Sequence, residues 1–230
     1  MGTLGFTGVA SLYVMGRQLR APSRARFQRD TLAWARGVTK GVGIDVRKTG
    51  AQLDPGGTYV LMANHQSHVD IVALICALPM VPGFLAKSEL RKVPFFGRAM
   101  EVGGHVFIER GKHDRAVEAI EAAARDLRPG SAILVFPEGT RSRRREVMPF
   151  KKGGLHLARL AGVPIVPIGV RGTADVLPKH EKSMIGGVCE VHIGEPIETA
   201  GRELDSLLGE VRARICELSG LPPAPDRSGA

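Results

Sequence analysis

The sequence is poor in cysteine and in aromatic side chains, and its charge-free opening is too short to span a bilayer. Three cysteines stand among 230 residues, Cys76, Cys189 and Cys216, scattered and with no Cys-x-x-Cys pair. They imply neither a disulfide framework nor a cysteine zinc site, and they fit a reducing, cytosol-facing compartment. Aromatic residues make up 5% of the chain. Proteins that grip single-stranded nucleic acid interleave basic residues with exposed aromatics. That interleaving and any nucleic-acid motif are missing, so no nucleic-acid partner is expected. The first sixteen residues, MGTLGFTGVASLYVMG, carry no charged side chain, but a spanning helix takes about 20 apolar residues. The run does not read as a secretion signal, since basic residues follow it instead of preceding it. There is no internal repeat and no low-complexity tract.

Positive charge is what the sequence has in excess. Lys and Arg number 32 against 23 Asp and Glu, a net charge of +9. Residues 1–48 hold nine Lys and Arg against Asp30 and Asp45, so this segment alone is +7. A second basic cluster is RSRRREVMPFKK, Arg141 to Lys152. The expected partners are anionic: phosphorylated substrates or lipid head groups. Within SRARFQRDTLAWARGV, the residues Phe27, Leu32, Trp34, Ala35 and Val38 share one helical face. Arg24, Arg26, Arg29 and Arg36 lie elsewhere around the same helix. That distribution suits a helix in the interface of an anionic membrane; a helix packed on its own domain has the same pattern.

Beyond residue 44 strands and helices alternate. Thr58–Ala63 is a short apolar run after the turn-like Asp-Pro-Gly-Gly, as a buried strand would be. Asp70 to Leu78 reads as a helix, His113 to Leu127 as the clearest one, closed by Pro129-Gly130. AILVF is a strand buried on both faces, GGLHLARLAG a helix, CEVHIG a strand, and RELDSLLGEVRARICEL a last amphipathic helix. The strand PIVPIGV carries two prolines, which predicts an edge strand or a wall of the site. The pattern predicts an α/β fold with a mixed, largely parallel sheet flanked by helices. Residues 1–44 are expected to be membrane-associating helices, 45–218 one folded domain, and 219–230 a disordered tail.

The densest chemistry lies in ANHQSHVDI, Ala63 to Ile71. The strand before it delivers Asn64 and His65 at its carboxyl end, where open α/β sheets bind ligands. Asp70 follows near the first turn of the next helix. Five residues across a strand-to-helix turn let imidazole and carboxylate fold back on each other as a general-base pair. Two other readings remain. His65, His68 and Asp70 have the residue types for a metal-dependent hydrolase, although the spacing matches no metal motif. The polar residues, Ser67 among them, also suit a helix cap. Further loops follow other strands: GHVFIERG ends in Glu109 and Arg110, and AILVFPEGTRS in Glu138, Gly139, Thr140 and Arg141. The Pro-Glu-Gly-Thr turn exposes backbone N–H groups, Gly139 permits close approach, and the two arginines match a phosphate.

Asn64-His65-x4-Asp70, Gly104-x-x-Phe107-Ile108-Glu109-Arg110, Phe136-Pro137-Glu138-Gly139-Thr140-Arg141-Ser142 and Val163-Pro164-Ile165-Val166-Pro167 occur in that order. Over about residues 45–200 the chain resembles the glycerolipid acyltransferase family, most closely its 1-acyl-sn-glycerol-3-phosphate acyltransferases. Glu109 stands where that family often has Asp. The resemblance implies transfer of a fatty acyl group from acyl-CoA or acyl carrier protein to the free sn-2 hydroxyl of lysophosphatidic acid, or of another lyso-lipid. It implies His65 as base, Asp70 as its orienting partner, and Arg110, Glu138, Gly139, Thr140 and Arg141 around the glycerol phosphate. Asn64, Glu109 and Lys87 would support them. No metal or cofactor is implied. The expected location is the cytoplasmic face of the cell membrane, peripheral or monotopic, with residues 1–40 as the counterpart of an N-terminal membrane module.

Overall fold

The computed structural model describes residues 23–93, 96–109, 113–178, 181 and 183–225. The opening sixteen residues, Arg110 and the last five residues therefore lie outside the described part of the chain. Helix α1 spans Arg24–Val42 and leads through Gly43 into strand β1, Ile44–Gly50. There follow β2 (Tyr59–Ala63), α2 (Val69–Ala77), β3 (Gly83–Lys87), a 3-10 turn (Ser88–Lys92), α3 (Phe96–Val102) and β4 (Val106–Ile108). The second half runs α4 (His113–Asp126), β5 (Ala132–Val135), α5 (Gly153–Ala161), β6 (Ile165–Arg171), α6 (Thr173–Val176), β7 (Gly187–Ile193) and α7 (Leu204–Ser219).

The strands form one sheet in the order β1-β7-β6-β2-β5-β3-β4. Strands β6, β2, β5, β3 and β4 are mutually parallel, while β1 and β7 run the other way through an antiparallel β6–β7 pairing. The expected mixed, largely parallel sheet is what forms. Its alternation is clean. Leu61 and Ala63 of β2 face one core with Leu134, Val166 and Ile168, and α2 covers it. Val60 and Met62 face the other core with Ile133 and Val135, under α4, α5 and α7. Both faces are thus covered, which is why the central strands are continuous apolar runs.

Three expectations are corrected. The apolar face of α1 is used inside the protein. Phe27, Ala35 and Val38 are buried, and Ala35 and Val38 pack on Val72 and Ile75 of α2. Helix α2 is apolar all round because it lies between the sheet and α1. The two-proline strand β6 is internal, not an edge, with β2 on one side and β7 on the other. Pro167 is tolerated because its carbonyl accepts from Gly194 N–H at 2.8 Å, just past the end of β7. On that side a ring nitrogen deprives no strand residue of a donor. Residues 219–225 of the expected tail are packed on the domain. Ser219 closes α7, Val147 N–H donates to Pro222 O at 2.9 Å, and Ala224 N–H donates back to Val147 O at 2.9 Å.

If α1 is part of the core, Val38→Asp places a carboxylate where nothing can solvate it. The unfolding free energy should fall by about 2–4 kcal/mol in a urea titration. An unchanged midpoint would mean that α1 is not docked in solution.

Candidate active site

The chemistry gathers where β2 ends, between β6 and β5. Strand pairing with β6 stops at Ala63 opposite Ile168, and the Asn64 side chain takes over from it. Its Nδ2 donates to Val170 O at 2.8 Å and its Oδ1 accepts from Val170 N–H at 2.7 Å. An amide carries one donor and one acceptor in the spacing that a backbone residue presents, so this buried group is satisfied.

The next six residues wrap around one carboxylate. Asp70 is fully buried at the start of α2. Its Oδ2 accepts the N–H groups of Gln66 at 2.8 Å and Ser67 at 2.9 Å, and lies 2.7 Å from His65 Nδ1. Its Oδ1 accepts the Thr173 hydroxyl. Oδ2 is an acceptor already holding two N–H donors, so Nδ1 is the third donor and carries the imidazole proton. Nε2 is then the free base. His65 is 14% exposed, and its ring stacks on Phe136 with centroids 4.0 Å apart and planes at 13°. Ser67 is not exposed. Its hydroxyl donates to Leu177 O at 2.8 Å and receives Val69 N–H at 3.3 Å.

The loop after β5 grips the His65 backbone from both sides. His65 N–H donates to Glu138 Oε1 at 2.6 Å, and Ser142 N–H donates to His65 O at 2.8 Å. Glu138 Oε2 accepts Met148 N–H at 2.9 Å. Burial pushes the Glu138 carboxyl up to about 7, with the Met148 and His65 N–H bonds pulling the other way. The carboxylate therefore faces inward, bridging two loops. The turn that allows this passes through Gly139 at φ +70, a conformation other residues adopt only with strain.

A profile of the family described as Acyltransferase matches residues 45–171. The chain belongs to the Acyltransferase family. It is 34% identical over 177 residues to the 1-acyl-sn-glycerol-3-phosphate acyltransferase of Saccharomyces cerevisiae, covering 76% of this chain and 58% of that protein. It is 36% identical over 169 residues to the human 1-acyl-sn-glycerol-3-phosphate acyltransferase alpha, covering 72% of this chain and 59% of that protein. The chain thus spans less than two thirds of the length of these relatives. A solved structure, the 1-acyl-sn-glycerophosphate (LPA) acyltransferase PlsC of Thermotoga maritima, superposes with a TM-score of 0.77 at 28% identity. That match covers 95% of this chain and 93% of the other.

Within this acyltransferase domain the other expected site residues line the same edge of the sheet, because β2, β5, β3 and β4 are parallel and end together. Lys87 closes β3 and is exposed; Glu109 follows β4 and pairs with Arg115 Nη1 at 2.7 Å. Thr140 is exposed and Arg141 half-buried. The His68 imidazole is held below its usual range, first by burial and then by the charges of Arg141 and His65. His65, Asp70 and Glu138 form one hydrogen-bonded group, and Asn64 fixes the start of the same loop to Val170. Among the described residues no three His, Cys, Asp or Glu side chains are arranged to hold a metal ion. In particular, both Asp70 oxygens are occupied by hydrogen-bond donors.

Beside this group lies a mostly apolar cavity of about 850 Å³ between α4, α5 and the ends of β3, β4 and β5. Its walls include Leu85, Ile108, Ile120 and Leu160, and it reaches Gly139 and the same Phe136 that carries the His65 ring. Phe136, the Ser142 N–H and Thr173 carry no local pattern in the sequence that marks these contacts.

An amide has only one acceptor, so Glu138→Gln turns an NH2 group against one of the two N–H donors. The variant should unfold about 1–3 kcal/mol more easily. The acid is raised in the folded state, so its contribution is full below about 4.5 and fades as pH rises through about 7. The stability gap between the two proteins should accordingly narrow from pH 5 to pH 8. An equal stability at both pH values, with only the KM for the acceptor raised, would make Glu138 a substrate contact instead.

Proposed function

We propose that this protein transfers a fatty acyl group from an acyl thioester to the free sn-2 hydroxyl of lysophosphatidic acid, giving phosphatidic acid. The single observation that carries the reading is the 2.7 Å contact between His65 Nδ1 and the buried Asp70, which leaves Nε2 as the free base. The acceptor hydroxyl gives its proton to His65 Nε2 as its oxygen attacks the thioester carbonyl. The imidazolium forms facing a carboxylate held in place by its other donors, so its positive charge is stabilised where it appears. Collapse of the tetrahedral adduct breaks the C–S bond, and the imidazolium returns the proton to the departing thiolate. The residues do not form an acyl-enzyme: Ser67, the hydroxyl nearest in sequence, is buried and donates to a backbone carbonyl.

Around this pair, Arg141 and Arg110 hold the acceptor phosphate, with Gly139 and Thr140 providing close backbone approach. Lys87 adds charge from the neighbouring strand end, while Asn64, Glu109 and Glu138 support the loops. The cavity beside Phe136 takes acyl chain, because its lining is mostly apolar and includes the ring on which His65 stacks. The acyl group comes from CoA or from acyl carrier protein, and no cofactor takes part. Residues 1–44 associate with the cytoplasmic face of the membrane, the segment before α1 supplying the contact because α1 itself buries its apolar stripe. Residues 45–218 form the acyltransferase domain.

His65→Ala should lower kcat by about 10²–10⁴-fold with the folded state intact, measured with labelled acyl-CoA and lysophosphatidic acid. Turnover at the parent rate would remove the mechanism. Removing residues 1–22 while keeping α1 should abolish co-sedimentation with vesicles rich in anionic phospholipid and leave the protein folded. Continued sedimentation would move the membrane contact elsewhere on the protein.

A further inference from the structure

The base and its carboxylate need a third group to hold them, and the sequence motifs do not contain it. Asp70 has two oxygens but only one faces the imidazole. Oδ2 collects His65 Nδ1 and the N–H groups of Gln66 and Ser67, all from three to five residues away. Oδ1 has one partner in the described structure, the hydroxyl of Thr173, 103 residues further on. Thr173 is itself fully buried. A carboxylate on a short side chain can turn about its last bond, and a donor on the far oxygen fixes that rotation. Without it, Oδ1 would be a buried charge-bearing oxygen with no solvent, a costly arrangement.

The chain is built to bring this hydroxyl back. Strand β6 ends at Arg171, and Gly172 turns the backbone at φ +82. A side chain at Gly172 would strike Val188 O at 2.1 Å, so no other residue fits the turn. Thr173 then begins the four-residue helix α6. The same segment holds the His-x4-Asp loop at two further points, through Asn64 with Val170 and through Ser67 with Leu177. Asp175 of α6 pairs with Arg145 from the loop after β5.

We infer that Thr173 is a positioning residue for acyl transfer, its hydroxyl locking the rotation of Asp70 so that Oδ2 keeps His65 Nδ1 as a donor and Nε2 aimed outward. This rests on the reading of His65 as the base. Thr173 touches no substrate, so it acts on the chemical step and not on binding. Its β-branch is not what matters: the hydroxyl is.

The test compares Thr173→Val, which keeps the shape and loses the donor, with Thr173→Ser, which keeps the donor. The Val variant should lose about 10–100-fold in kcat, with KM for both substrates within about twofold. The Ser variant should return to within about threefold of the parent. Thr173→Ala is the second donor-free variant, should Val prove misfolded. In an Asp70→Asn background, Thr173→Val should have no further effect on kcat, because the two act as one unit. A parent-like kcat in the donor-free variants overturns the proposal. So does a Ser variant as damaged as Val, or losses that simply add in the double variant. If His65→Ala retains turnover, the base assignment has failed; if it is inactive and Thr173→Val is not, only the role of Thr173 has.

Discussion

One buried carboxylate organises the site. Asp70 sits at the start of α2 with no exposure to water, and every lone pair it uses is taken by a donor whose position the fold dictates. An isolated charge in such a place is expensive, and a protein normally escapes by protonating it. Here the first backbone amides of a strand-to-helix turn, an imidazole and a distant hydroxyl all donate to it. The helix N-terminus adds its dipole. The consequence is chemical. An acceptor-only carboxylate places the proton of His65 on Nδ1 and leaves Nε2 free, so the tautomer with an outward base follows from burial and hydrogen-bond accounting.

The rest of the architecture serves to hold the backbone that carries this pair. His65 leaves the end of β2 between two loops. From one side the turn after β5 clamps its N–H and C=O through Glu138 and Ser142. From the other, the end of β6 holds Asn64 and the segment after it holds Ser67 and Asp70. Both clamps come from strands that are direct neighbours of β2 in the parallel part of the sheet. Their carboxyl ends lie together, so three loops converge without any long excursion. Phe136 joins the two functions of the region, bearing the imidazole ring on its face and lining the apolar cavity.

Glu138 illustrates how a residue type misleads when read alone. In the sequence it stands in an exposed-looking, glycine-containing turn beside an arginine, which suggests contact with a ligand. In the folded protein both oxygens face backbone amides, and a group that repels phosphate by charge is turned away from the open edge. The decisive fact is the direction of the side chain. That direction is set by the Gly139 turn and by Met148, ten residues on, and neither local composition nor periodicity carries it. The helix α1 shows the same limit. An apolar stripe with arginines beside it fits a membrane interface and a protein interior equally well, and the presence of an all-apolar α2 to receive it decided for the interior.

By itself, then, the sequence determined the alternation of elements, the largely parallel sheet and the placement of His65 and Asp70 at a strand-to-helix turn, because these follow from short-range patterning. The five-residue spacing between the two allows the pairing that the folded protein forms. Tertiary structure alone decided that the two-proline strand lies inside the sheet, that residues up to 225 pack against Val147, that Glu138 points inward, and that Thr173 completes the carboxylate. Each of these depends on contacts between segments far apart in the chain, where the partner is selected by packing and by the need to satisfy buried polar groups, and no local sequence pattern encodes that choice.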